Sequence, residues 1–167
     1  MTIVVEDGSE VAGANSYGTR AGFIAWALQR GYTIADDVTA DSYLVKSFDF
    51  IRGLEHCLLG HLMTKTQTGA YPRYGLYING FVYANDEIPQ VVKDWQFSLA
   101  LDINNGIDIH NPKPSASVAV KRVRVEGAVE KEFAVSDQSN TVYQSLSQTL
   151  QAQLCRSSGL GVSISMG

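Results

Sequence analysis

His56, Cys57 and His61 are side chains of the types that hold transition metals, gathered within six positions. Cys57 and His61 stand four apart, a spacing that puts both on one face of a helix. A structural zinc site takes four ligands at defined spacings. The remaining ligands would have to come from His110, Cys155 or a carboxylate, none of which sits in a recognised pattern. The ordinary reading is a buried cysteine beside surface histidines, and no metal is expected. The acidic pairs Asp36-Asp37 and Asp86-Glu87 invite an acid–base reading. Adjacent residues point in different directions, however, and both pairs precede a helical pattern, where capping and the helix dipole account for them. There is no nucleophile elbow, P-loop, dinucleotide-binding glycine pattern or metalloprotease motif. "GLGVS" near the end lacks the lysine and the following helix that phosphate binding needs. No catalytic residue and no cofactor are expected.

The remaining chemistry is nucleic-acid binding. Lys121, Arg122 and Arg124, with Arg156 further on, are the candidate contacts to DNA or to an acidic partner. Tyrosines and phenylalanines crowd residues 71–83. Proteins that bind single strands combine a basic groove with exposed stacking aromatics. Here the two sets are far apart in sequence and meet only if the fold brings them together. The net charge of −4 also opposes a main role in gripping phosphates. The reading preferred on these grounds is that the tyrosines form a lid over the helices and the arginines meet an acidic neighbour. Residues 1–10 carry Glu6, Asp7 and Glu10 without a base, and 113–124 carry four bases without an acid. These ends could pair between copies or be ordinary solvated surface.

The elements that must position these groups are mainly helical. Thr19 caps a first helix with Phe23, Ala27 and the Ile24/Leu28 pair on its apolar stripe, ended by Gly31. A second helix of about five turns starts after Thr39 as N-cap, with Asp41 complementing the dipole and Leu44, Phe48, Ile51, Leu54 and Leu58 on one face. Gly53 weakens it, and Gly60 stops it or lets a neighbour come close. Asn79-Gly80 is a tight-turn pair. Pro89 opens a third helix with Ile88, Val91, Val92, Trp95, Leu99 and Ile103 on a face, ended by Asn105-Gly106. After a proline-bearing linker the period changes to that of strands, giving a hairpin at about 117–135 with Glu126-Gly127 as its turn. A polar fourth helix carries Tyr143, Leu146, Leu150 and Leu154. The fold class expected is mainly α: a small bundle of about four helices with an inserted or appended β-hairpin and extended termini.

The 167 residues suit one domain, here 1–155, followed by a flexible tail at 156–167. Composition is that of an ordinary globular protein, 45% apolar and 18% charged. No run approaches a membrane span, and the N-terminus has no signal-peptide pattern, so the protein is expected to stay where it is made. Cys57 and Cys155 are expected to be reduced thiols, with Cys57 buried on a helix.

Two stretches resemble a known family. One is "VAGANSY" with Gly13, Asn15, Ser16 and Tyr17, followed by "RGY" and "SFDFIRGL". The other, more specific, is Tyr71, Pro72, Arg73, Gly75 and Gly80, then Ile88 and Pro89 opening a helix. Over about residues 3–155 the chain resembles a tailed-phage family labelled DnaT-like single-stranded-DNA-binding and similar to head–tail connector, or adaptor, proteins. The family more often has Trp where Tyr71 stands. The resemblance implies that Gly13, Asn15, Tyr17, Tyr71, Pro72, Arg73, Gly80, Ile88 and Pro89 are structural. It implies a virion protein of the neck, assembled in the host cytoplasm as a homo-oligomeric ring, commonly of twelve copies. Such a ring sits under the portal protein, extends the channel for genomic double-stranded DNA and docks tail or head-closure proteins. The alternative is a single-stranded-DNA-binding protein of phage replication or packaging.

Overall fold

The structure, a computed structural model, describes residues 2–110 and 146–156. They contain four helices: α1 (Arg20–Leu28), α2 (Val38–Gly53), α3 (Gln90–Asn104) and α4 (Leu146–Leu154). Two antiparallel ribbons accompany them. β1 (His61–Leu62) pairs with β2 (Arg73–Tyr74), and β3 (Tyr77–Ile78) pairs with β4 (Phe81–Val82). The protein is thus mainly helical with a small hairpin element, as its periodicity predicts. The hairpin expected at 117–135, and the tail after Arg156, lie outside the described residues.

Local chemistry explains where the helices begin. The Thr19 hydroxyl accepts the Gly22 N–H at 3.0 Å and starts α1. Gly31, at φ +82°, supplies the left-handed residue just past its end. α2 starts earlier than expected, because Asp37 and not Thr39 is the cap: its carboxylate accepts the Thr39 N–H at 2.8 Å. Asp41 does more than complement a dipole. It is buried, and Arg20 donates to both its oxygens, at 2.8 and 3.1 Å, tying the start of α1 to α2.

α2 also ends earlier, at Gly53, with residues 54–57 in a turn. Glycine is a poor helix former, and the backbone beyond it is taken up by α4. The Leu59 N–H donates to the Leu154 carbonyl at 2.8 Å, and the Arg156 N–H donates to the Cys57 carbonyl at 2.7 Å. Leu58 and Cys155 form an antiparallel bridge. The expectation of free thiols is corrected here. Cys57 and Cys155, 98 residues apart in sequence, form a disulfide with their Cα atoms 4.8 Å apart.

α3 is the centre of the molecule. Val92, Trp95 and Leu99 join Phe48, Ile51, Tyr71 and Leu154 in one buried cluster. Phe97, Ala100 and Leu101 join Phe23, Trp26 and Ala27 in a second. The sequence pattern shows the first of these faces. The second is missed because Gln96 and Ser98, polar residues, interrupt it and are themselves buried. No helix among the described residues is long and apolar enough to cross a membrane.

Candidate nucleic-acid interface

Residues 71–83 divide into a buried and an exposed set. Tyr71 is fully buried and meets Tyr17 edge to face, ring centroids 6.0 Å apart. The Tyr17 hydroxyl accepts the N–H of Ala70 at 2.8 Å and of Tyr71 at 3.2 Å. Pro72 follows a cis peptide bond and is buried, as are Leu76 and Ile78. The outer set is Tyr74, Tyr77 and Phe81, exposed to 46%, 59% and 69%. Only the inner half of this stretch is therefore a lid. Val82 is exposed as well, and the register that sets Tyr77 opposite Val82 and Ile78 opposite Phe81 puts Tyr77 and Phe81 on opposite faces of their ribbon.

Two details shape the backbone of this stretch. Asn79 and Gly80 both have positive φ, +52° and +90°, in the two-residue turn that sets Ile78 opposite Phe81. Gly60, at φ +71°, lets the chain pass close to β2: a Cβ there would stand 2.9 Å from the Tyr74 carbonyl oxygen. The His61 ring lies against the Tyr74 ring, centroids 5.2 Å apart and tilted by 32°.

Arg73, between the two sets, points inward. Its guanidinium donates to the carbonyls of Leu59 at 2.7 Å, Ala70 at 3.1 Å, Gly60 at 3.1 Å and Leu58 at 3.4 Å. Its charge therefore orders the loop before β1 and is not offered to a ligand. Burial lowers its pKa from the ordinary arginine value, and the like charge of Arg156 adds to that, while Tyr71 and Glu55 oppose it. Arg156 itself is exposed, and its backbone is anchored to Cys57 in the same loop. Of the predicted basic residues, Arg156 lies near enough to Arg73 for the two charges to act on each other. Lys121, Arg122 and Arg124 lie outside the described residues.

The other singled-out residues are placed as follows. Gly13 turns the chain at φ +73°. The Asn15 side chain accepts the Val4 N–H at 2.8 Å and donates to the Thr2 carbonyl at 3.1 Å, holding the N-terminal segment. The Tyr17 N–H donates to the Gln96 amide oxygen at 2.9 Å, and the Gln96 amide nitrogen donates to the Leu44 carbonyl at 2.9 Å. Ile88 is buried and Pro89 is the N-cap of α3. Asp36 pairs with Arg20 at 3.3 Å, while Asp86 and Glu87 are exposed. His56 is exposed, Cys57 is disulfide-bonded and His61 is on β1, not on a shared helix face with Cys57. Among the described residues no three His, Cys, Asp or Glu side chains are grouped to hold a metal ion.

The aromatic character of 71–83 was within reach of the sequence, but which rings are exposed was not, since Phe81 and Val82, adjacent on β4, are both exposed. The position of Arg156 near Arg73 has no signal in the sequence, because it depends on how α4 returns to the loop after α2.

A family model described as "Putative DnaT-like ssDNA binding protein" matches residues 1–166. The chain belongs to that family. No match was found among curated proteins or among solved structures. The expectation of a head–tail adaptor is corrected by the family match, whose description is that of a single-stranded-DNA-binding protein and indicates no connector. The ring, the portal and tail partners and the location in a virion neck stand on the connector resemblance alone.

Proposed function

We propose that this protein binds single-stranded DNA. The family match over residues 1–166 is the observation that carries this reading. The exposure of Tyr74, Tyr77 and Phe81 supports it, since unpaired bases offer their faces to aromatic rings and paired, stacked bases do not. The net charge of −4 limits how much of the affinity phosphate neutralisation supplies, so stacking carries a larger share than in a basic protein. No catalytic step is assigned.

The test is a titration of a labelled oligonucleotide, single-stranded and then annealed to its complement, at two salt concentrations. Saturable binding to the single strand, weaker binding to the duplex and a shallow dependence on salt are expected. Absence of binding, or preference for the duplex, overturns the reading.

A further inference from the structure

We infer that the groove between α1 and α3 takes one unpaired base of a single strand, with Lys93 holding the adjoining phosphate. This inference rests on the single-stranded-DNA reading and adds to it a place where a nucleotide is seated.

The groove follows from helix period and residue size. Gly22 and Ala25 of α1, with Gln29 at its C-cap, stand at i, i+3 and i+7. Gln90, Lys93 and Phe97 of α3 repeat that spacing, so each set shares one face of its helix. All six line one groove of about 420 Å³, within the range of small-molecule sites. Gly22 and Ala25 are too small to fill the space in front of α3. A Cβ at Gly22 would stand 3.1 Å from Thr19 Oγ1 and 3.6 Å from the Phe97 ring, so a larger side chain there would occupy the groove. Glycine is a poor helix former, and at this position its missing side chain keeps the floor open.

The chemistry of the lining selects the occupant. Among the described residues the Lys93 ammonium forms no ion pair and the Gln29 side chain no hydrogen bond. The Gln90 amide nitrogen donates to Asp94 at 3.0 Å, which leaves its carbonyl oxygen to accept. Asp94, the neighbouring acid, is turned to Trp26, whose Nε1 donates to the same carboxylate oxygen at 3.1 Å. The Arg30 guanidinium lies over the Trp26 ring, 3.9 Å from its centroid, and adds positive charge on this side. The apolar surface of Val5 and Phe97 suits the face of a base, the two amides suit its edge, and the unpaired ammonium suits a phosphate. A neutral apolar ligand would leave Lys93 without a partner, and a simple anion would leave the walls uncovered. A base within a duplex is stacked and paired, so only an unpaired nucleotide meets all three requirements.

Anisotropy titrations of the full chain with a labelled oligothymidylate of about 16 nucleotides test this. Ala25 is exposed on α1, and Ala25→Phe fills the groove without removing a core contact. It is expected to weaken binding about 10-fold or more. Lys93→Ala is expected to reduce the slope of log K against log salt by about 0.7, the value for one phosphate on a single strand, and Lys93→Arg to keep it. In the unaltered chain, the bound strand is expected to shift the amide resonances of Gly22, Ala25 and Lys93, a readout that needs no variant. Circular dichroism checks that the variants fold. A folded Ala25→Phe that binds as the unaltered chain does, an unchanged slope in Lys93→Ala, or resonances that stay in place while the strand binds would each overturn this inference and leave the proposed function standing. An unaltered chain that binds no single strand overturns both.

Discussion

The phenol oxygen of Tyr17 lies where the backbone enters Tyr71, accepting that residue's N–H at 3.2 Å and the N–H of Ala70 at 2.8 Å. The hydroxyl of Tyr71 itself is buried and has no hydrogen-bond partner among the described residues. The two tyrosines are packed edge to face, but only one uses its oxygen. Tyr17→Phe should leave two buried amides unsatisfied and cost about 1–3 kcal/mol. Tyr71→Phe should cost nothing measurable and could stabilise. Urea unfolding of the two variants checks the contrast; equal losses would contradict it.

Both phenols have pKa values raised above the ordinary tyrosine value by burial, so the folded state keeps their protons where the unfolded chain gives them up. Their contribution is fully present below about pH 10 and is lost as pH rises beyond it. The slope should approach about 1.4 kcal/mol per pH unit for each residue. Denaturation midpoints on either side of about pH 10 measure it, and an alkaline limb of the same steepness in the Tyr17→Phe variant would show that Tyr17 takes no part.

Gln96 links three parts of the chain from inside the core. Its amide oxygen takes the Tyr17 N–H, and its amide nitrogen serves Leu44 at 2.9 Å and the Ser16 hydroxyl at 3.0 Å. Gln96→Leu keeps the volume and leaves the Tyr17 amide buried without an acceptor. A loss of about 1–3 kcal/mol is expected. Thermal melts and amide exchange at Tyr17 both report it.

The Cys57–Cys155 disulfide closes a loop spanning 98 residues. In the chain-entropy account, loops of this length gain the most from a crosslink. Reduction, or Cys155→Ser, should lower stability by about 2–5 kcal/mol, read as a drop in the unfolding midpoint with and without reductant. Unchanged midpoints would show that the bridge from Leu58 to Cys155 suffices.

Much of this fold is legible in the sequence because local rules decide it. Thr19 and Gly31 bracket α1, Pro89 and Gly106 bracket α3, and Asn79-Gly80 makes its turn, each through backbone preferences that need no distant partner. The errors occur where tertiary contacts prevail. Asp37 takes the cap of α2 from Thr39, the chain after Gly53 pairs with the end of α4, and Cys57 finds Cys155. In the candidate site, the aromatic character of 71–83 is plain in the sequence. Its split into buried and exposed rings requires knowing which strand face meets α3, and the position of Arg156 requires the return of α4.

α3 has consequences beyond support. Its Trp95 side packs into one cluster and its Phe97 side into the other, so neither cluster has a wall of its own. Melting either one exposes the helix that bounds its neighbour. The described residues should therefore behave as a single cooperative unit, with the amides of α3 exchanging only when the whole body opens. No partial state that keeps one half intact is built into this arrangement.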